Sequence, residues 1–361
     1  MLEKRKRIES LNIIRCFSFL LICLHHTKLE LFTSSGYYGV SVFLILSGFL
    51  MTYNHYGKEF NYSLIDSIKY AINKIKDLYP LHIICTIAML PFLFIGDHIE
   101  PILNIVLSIL TNVLLIQEWL PLNIFSINGV SWFISVLFLA YIVFPFFVRF
   151  MEKHFNNTKS IIFLIVLFLL QIVVAIIDSK ATDVGINSIL IKNDFSYWLV
   201  YEFAFVRLID FLIGCCVGYC FIHKDNDNDK DYTIYEILIV LLQVVSMILS
   251  AVYKKTSWRY TVVFTLFIVL LIYVFALEKG KISRINNEIV KYISRISRPG
   301  FIIHYVVFRY MSSLVTYVLG RDIEHTYGPL LKLTIGMFIT IVLCEIYIRI
   351  EERFKNKLFN K

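Results

Sequence analysis

Arg15 and His26 are the two residues whose types and spacing most directly suggest chemistry. Both lie in the apolar run SLNIIRCFSFLLICLHH, eleven positions apart. In an α-helix, eleven steps of ~100° return to within about 20° of the same face, about 16 Å further along the axis. An arginine binds phosphate strongly, and a histidine transfers protons near neutral pH. The pair therefore predicts a site that holds an anion at one end and transfers a proton at the other.

Two neighbours belong to the same run. Asn12 lies one turn before Arg15 on the shared face, whereas His25 points about 80° away from it. Polar groups inside an apolar helix are costly and are candidates for function. The alternative is structural: Arg15 extends to lipid headgroups and His26 hydrogen-bonds a neighbouring helix. The residues by themselves leave both interpretations open.

Other polar residues in or beside apolar runs are weaker candidates. Arg207 and Asp210 lie one turn apart and predict either a structural ion pair or a substrate contact. His304, in FIIHYVVF, is expected to be a hydrogen-bonded interior residue more than a catalytic one. Lys74 and Lys76 are either topology charges or ligands of an anionic cofactor.

The composition places the chain in a membrane. Of its 361 residues, 58% are hydrophobic and 17% charged, whereas soluble domains are nearer half apolar and a quarter charged. No polar stretch is long enough to fold alone, so we expect one membrane domain over 1–361. The net charge of +8 does not indicate nucleic-acid binding, because the lysines and arginines fall in short loops between apolar runs. The seven cysteines all fall in apolar runs without ligand spacing, which predicts packing roles and no metal site.

Ten runs are long and apolar enough to cross a bilayer as helices, which takes about 20 residues each. They are 11–30, 37–56, 79–97, 129–149, 160–178, 198–222, 232–253, 260–277, 300–319 and 329–350. A further run at 101–120 is interrupted by Asn104 and Asn112, and we expect a re-entrant or interfacial helix there. With both termini inside, the inner segments contain 24 lysines and arginines against 7 in the outer segments. The positive-inside rule therefore favours an all-α protein with ten spans and cytoplasmic termini.

Seven segments spread along the chain form an ordered set. They are IESLNIIRCFSFLLICLHH, GVSVFLILSGFLM at 39–51, KIKDLYP at 74–80, NGVSWFISVLFLAYIVFP at 128–145, VRLIDFLIGCCVGY at 206–219, FIIHYVVF at 301–308 and IYIRIEERF at 346–354. In this order they resemble the acyltransferase 3 family of membrane acyltransferases, which O-acylate cell-surface and other carbohydrates. The first segment resembles the family's motif of an arginine, ten residues and a histidine, and the second resembles its Ser-Gly-Phe motif.

The resemblance implies roles for some of these residues. Arg15 and His26 become the essential pair, and Ser47 and Gly48 become close-packing or substrate-contact positions. Trp132 stands at the start of the segment that resembles the family's Trp-led fourth span. The chain departs from the family at three places. Asn12 stands where an acidic residue is common, Lys74 and Lys76 where two arginines are usual, and Leu137 where many members have glutamate.

The function implied by the resemblance is transfer of an acyl group, expected to be acetyl, from a cytoplasmic acyl-CoA to a carbohydrate hydroxyl. Arg15, Lys74 and Lys76 would hold the phosphates of acetyl-CoA, while His26 would either deprotonate the sugar hydroxyl or carry the acyl group. The acceptor would be a surface polysaccharide or its lipid-linked precursor, at a bacterial cytoplasmic membrane. The rival class is a polysaccharide flippase or other transporter, whose path would be lined by Arg15, Arg207, Asp210 and Glu345.

Overall fold

The computed structural model describes residues 5–29, 32–94, 101–121, 125–183, 195–224, 230–253 and 257–359. Within these ranges the chain is helical and contains no strand, which confirms the all-α class. The helices are α1 (Leu11–Thr27), α2 (Ser35–His55), α3 (Leu64–Ile75), α4 (Tyr79–Met89), α5 (Ile102–Leu114), α6 (Trp132–His154), α7 (Asn157–Asp183), α8 (Phe195–Tyr197), α9 (Ala204–Ile222), α10 (Thr233–Val252), α11 (Val262–Ala276), α12 (Glu288–Leu319), α13 (Arg321–Leu331) and α14 (Met337–Phe359). Short 3-10 turns (Leu90–Leu93, Ser257–Tyr260) and π turns (Trp198–Glu202, Lys332–Gly336) extend or join them.

Eight helical segments of the described chain are long and apolar enough to cross a membrane. They are Ser35–His55, Trp132–His154, Asn157–Lys180, Phe195–Ile222, Thr233–Val252, Ser257–Ala276, Glu288–Leu319 and Arg321–Asn356. The pair Leu64–Ile75 and Tyr79–Leu93 is bent by 71° and makes a ninth, broken span if its halves are taken together. The shorter apolar helix α1 coincides with the first predicted span. Each predicted span therefore overlaps a described apolar helix.

The run at 101–120 forms a short helix, α5. Its 13 residues extend about 20 Å, less than the ~30 Å hydrocarbon core. Asn112 is fully buried and its side chain hydrogen-bonds the segment that follows α5. The side-chain amide donates to the Phe125 carbonyl at 2.8 Å, and the side-chain oxygen accepts from the backbone N–H of Ile127 at 3.3 Å. A polar residue in this apolar run thus binds the returning backbone.

α2 is buried along most of its length and packs closely on α9. A Cβ atom at Gly48 would lie 1.9 Å from the Phe211 carbonyl oxygen, and one at Gly214 would lie 1.9 Å from the Ile45 carbonyl oxygen. Only a residue without a side chain permits such an approach. Gly48 is therefore a close-packing position, which is one of its two expected roles.

α12 is longer than the predicted span 300–319. It begins after Asn287, whose side-chain oxygen accepts a hydrogen bond from the Val290 amide at 2.9 Å and caps the helix. Pro299 lies inside the helix and does not mark its start. The extra turns add Ser294, Arg295 and Arg298 to the helix, and these residues face the candidate site.

Candidate active site

α1 packs against α2 and α12, and these three helices carry most of the candidate side chains. Near the start of α1, the Asn12 side-chain oxygen accepts a hydrogen bond from Ser294 at 3.1 Å. Near its end, the ring centroids of His26 and His304 are 5.1 Å apart. α12 therefore contacts α1 at both ends, and Asn12 contributes to this packing.

A cavity of about 670 Å³ lies beside Arg15, between α1, α2, α3, α6 and α12. This volume is in the range of small-molecule sites. Both cationic side chains and aromatic rings line it. The cations are Arg15, Lys74, Arg295 and Arg298, and the rings include Phe43, Phe133, Tyr141 and Phe301.

Two arginines that line the cavity have guanidinium N–H groups available to donate hydrogen bonds to a ligand. Within the described residues, neither Arg15 nor Arg298 makes a hydrogen bond or an ion pair. Arg295 differs, because it pairs with Glu345 at 2.7 Å. A guanidinium presents five donors in a planar fork that matches phosphate oxygens. Arg15 and Arg298 can therefore bind an anionic ligand inside the cavity without first breaking a protein contact.

Lys74 and Lys76, which the sequence pairs, lie in different surroundings. Lys74 is half-buried and lines the cavity, where its Nζ is 2.9 Å from Nε2 of His55. Lys76 is exposed and does not line it. Asp77 also lines the cavity, and its carboxylate forms an ion pair with Lys355, whose Nζ lies 3.3 Å from Oδ1 of Asp77.

Ser47 and Tyr141 meet across the cavity wall. The Ser47 hydroxyl is 3.3 Å from the Tyr141 hydroxyl, and both residues line the cavity. Leu137 lies one turn before Tyr141 on α6 and also lines it, so the position where many family members have glutamate faces this space. Ser47 thus faces the cavity, while its neighbour Gly48 faces α9.

Three phenylalanine rings from three helices meet in the lining of the cavity. The centroids of Phe133 and Phe301 are 4.8 Å apart, and Phe43 lies 6.2 Å from Phe301 and 6.4 Å from Phe133. Phe301 also contacts the ring of His304, at 6.2 Å. The lining of the cavity includes the three rings but neither His26 nor His304. Within this phenylalanine cluster, Phe301 therefore connects the cavity lining to the histidines.

The histidines form a cluster at the end of α1. His26 contacts His304 at 5.1 Å and Tyr305 at 5.3 Å, both on α12. His25 instead contacts Tyr37 of α2 at 5.1 Å, although its ring is only 4.9 Å from that of His26. The two adjacent histidines thus face different helices, as their angular separation in α1 predicts.

Arg207, Asp210 and Trp132 belong to a different part of the molecule. Arg207 and Asp210 are fully buried and form an ion pair at 2.8 Å. Gln171 of α7 donates to Asp210 at 2.5 Å, and Arg207 donates to Ser41 of α2 at 3.1 Å. The guanidinium carbon of Arg207 lies 6.0 Å from the Trp132 ring centroid. This polar network ties α9 to two neighbours, and it does not line the basic cavity.

The sequence interpretation missed Arg298 and Tyr141. The segment before Pro299 is charged and the predicted span starts at 300, so the sequence pattern assigns Arg298 to an inner loop. One signal was available: Ser294, Ser297, Arg298 and Phe301 follow the spacing of one helix face. All four line the cavity.

A bundle of apolar helices with a basic cavity and a histidine cluster at the end of α1 defines the class as a polytopic membrane protein with an enzyme-like site. The family described as "Acyltransferase domain" (Acyl_transf_3) matches residues 8–349, and the chain belongs to this family. A stretch of 166 residues is 28% identical to "Acyltransferase MdmB" of Streptomyces mycarofaciens. That match covers 41% of this chain and 41% of that protein, so it spans less than half of the relative. No solved structure matches the chain.

Proposed function

We propose that this membrane acyltransferase moves an acyl group, expected to be acetyl, from coenzyme A to a hydroxyl of a surface polysaccharide or its lipid-linked precursor. One observation carries the proposal. Arg15, with no hydrogen bond or ion pair to any described residue, lines the basic cavity and shares a face of α1 with His26. Their separation of about 16 Å along the helix is comparable to an extended pantetheine arm.

The donor would bind with its phosphates among Arg15, Lys74 and Arg298. Charge-assisted hydrogen bonds to phosphate are the strongest contacts that such side chains make. Lys74 and Arg298 lie on segments that the charge distribution assigns to the cytoplasmic side, and Arg15 lies near the cytoplasmic end of the first predicted span, so the donor would enter from the cytoplasm. Lys76 remains a second candidate for the phosphates, from the exposed rim.

The thioester would reach His26 past the phenylalanine cluster. Phe43, Phe133 and Phe301 would offer an apolar surface to the arm, and the Phe301 ring, which contacts His304, would turn aside to let it pass. His26 would then either deprotonate the acceptor hydroxyl or accept the acyl group itself. Either role requires a histidine at the far end of the arm.

The rival function, transport of a polysaccharide, has less support from these contacts. A translocation path would need polar groups such as Arg207 and Asp210 to face a passage. Both are fully buried and engaged with Ser41 and Gln171.

The deciding experiment is the acyl-ester content of surface glycans from cells with and without an intact copy of this protein, measured by mass spectrometry after mild base release. We expect the ester to disappear with the protein and to return with wild type but not with His26→Ala. Glycans with unchanged ester content in all three strains would contradict the proposal.

A further inference from the structure

His304 is fully buried, and its environment fixes the position of its proton. Its Nδ1 lies 2.9 Å from the Gly300 carbonyl oxygen, one turn earlier in α12. A carbonyl oxygen can only accept, so Nδ1 is the donor and carries the proton. In the neutral ring, Nε2 then holds a lone pair. The Gly300 carbonyl of α12 therefore holds the proton on Nδ1 and leaves Nε2 of His304 able to act as a base.

Nε2 of His304 has no hydrogen-bond partner among the described residues. Leaving a buried polar atom unsatisfied costs about 1–3 kcal/mol, so such an atom calls for an explanation. Three of the rings around it are apolar: Phe19 at 6.5 Å, Phe301 at 6.2 Å and Phe308 at 5.7 Å between centroids. The fourth is His26, at 5.1 Å. The unsatisfied base thus lies next to the residue to which the acyl chemistry has been assigned.

We infer that His304 is the general base that deprotonates the acceptor hydroxyl, which leaves His26 to carry the acyl group. The inference rests on the proposed function and divides its two open roles between two residues. His26 is partly exposed and can meet both substrates, whereas His304 is walled in by phenylalanines on its other sides. A hydroxyl that attacks an acyl group on His26 lies within reach of a ring only 5.1 Å away.

The steps balance without any further reactant. A ring nitrogen of His26 attacks the thioester carbon, the carbon–sulfur bond breaks, and the coenzyme A thiolate takes the proton that the acylated imidazolium releases. The acceptor oxygen then attacks the acyl carbon while its proton moves to Nε2 of His304. The bond between the acyl carbon and His26 breaks, and His304 returns the proton to the leaving nitrogen. The net change moves the acyl group to the oxygen and one proton to the thiol.

The test uses a substitution that keeps the Gly300 contact but removes the base. In His304→Asn the side-chain amide can still donate to the Gly300 carbonyl in place of Nδ1, and no group replaces Nε2. The matched control is His82→Gln. His82 is equally buried, and its Nε2 lies 3.0 Å from the Asn112 carbonyl oxygen, a contact that glutamine can reproduce. Both purified variants are given acetyl-CoA alone, and then acetyl-CoA with a glycan acceptor.

With acetyl-CoA alone, we expect intact-protein mass spectrometry to show one acetyl group on wild type, on His82→Gln and on His304→Asn. With acceptor present, the transfer rate of His304→Asn should fall by ~10²–10⁴-fold, and its acetylated form should persist. Normal transfer by a folded His304→Asn would overturn the inference, as would a wild type that takes no acetyl group while still transferring it. Loss of acetylation in His304→Asn would show a role before acceptor attack and would also overturn it. If wild type acylates no glycan, the proposed function itself fails, and the two failures are thereby distinguished.

Discussion

The Lys74 ammonium donates a hydrogen bond to Nε2 of His55 at 2.9 Å. His55 can accept it because its Nδ1 donates to the Met51 carbonyl at 3.1 Å, one turn earlier in α2. The last turn of α2 thus holds Lys74 at the wall of the basic cavity. The lysine is oriented by a neutral partner and keeps its charge for a ligand.

Lys74→Ala is expected to raise the apparent KM for the acyl-CoA donor. A charge-assisted contact contributes ~1.5–3 kcal/mol, which corresponds to about 10- to 100-fold, and partial exposure places Lys74 near the lower value. Steady-state kinetics at fixed acceptor concentration would measure it. Lys76→Ala, on the exposed side, should change the donor KM less. Equal donor KM values for wild type and both variants, and for the double variant, would reduce the lysines to topology charges.

Arg15→Ala should abolish measurable donor binding, whereas His26→Ala should retain it. In the proposed site, the guanidinium of Arg15 binds the phosphates of the donor at one end, and His26 acts on the acyl group at the other end. Calorimetric titration of each purified variant with acetyl-CoA would compare them. Arg349→Ala serves as the control, because Arg349 pairs with Glu345 outside the cavity at 3.1 Å. Donor affinity unchanged in Arg15→Ala would remove the arginine from the site.

His26→Ala should abolish acyl transfer, and His25→Ala should keep much of it. The adjacent rings face different helices, with His26 toward α12 and His25 toward Tyr37 of α2. Loss of a proton-transferring or nucleophilic group costs ~10²–10⁴-fold in rate. Transfer assayed by mass spectrometry, with membrane insertion checked in parallel, would separate the two. Similar loss in both variants would point to a structural role for the histidine pair.

Gly48→Ala should lower the thermal stability of the folded protein. The new methyl group would lie 1.9 Å from the Phe211 carbonyl oxygen, so α2 and α9 must move apart. Overpacking of this kind costs ~1–3 kcal/mol or more. Thermal unfolding in detergent would show the change as a lower midpoint. At Gly328, the control site, an added Cβ would meet the flexible Glu324 side chain at 3.2 Å, and Gly328→Ala should shift the midpoint less.

Leu120→Cys should react with a membrane-impermeant thiol reagent added outside the cell. The 24-to-7 division of cationic residues assigns the segment around α5 to the outer side, and Leu120 is 45% exposed. Lys69→Cys, in a segment assigned to the inside, is the matched control and should react only after permeabilisation. The opposite labelling pattern would invert the topology and, with it, the face from which the donor enters.

Hydropathy predicted the membrane bundle well because long apolar runs have few alternatives to spanning helices in a bilayer. The shared face of Arg15 and His26 followed from helical geometry alone. Glu345 and Arg349 lie four residues apart on α14, a spacing that brings side chains together on one helix face, and they form an ion pair at 3.1 Å. What these features have in common is that each depends on neighbours within a single helix.

The rest of the site depends on contacts between helices that are distant in sequence. His304 was expected to be a hydrogen-bonded interior residue, and half of that expectation holds, since Nδ1 is bonded and Nε2 is not. The difference arises from the packing of α12 against α1, which no local pattern encodes. Arg298 was missed for a similar reason. The segment around Arg298 contains too many charged residues to be recognised from its hydropathy, although it belongs to the same long helix, α12, as the predicted span 300–319.

The phenylalanine cluster has a consequence for the membrane as an insulator. A site that admits a long substrate into the interior of a membrane protein risks becoming a pore, and an open aqueous path would dissipate ion gradients whenever the enzyme stood idle. The Phe43 ring meets those of Phe133 and Phe301 edge to face, and the Phe133 and Phe301 rings are tilted at 55° to each other. Aromatic contacts of this kind contribute ~0.5–1.5 kcal/mol each. Contacts of that size can keep the rings together at rest and yield to a tightly bound ligand. If the proposed donor passes between these rings, its arm would fill the gap that it opens, and the substrate itself would then keep ions out.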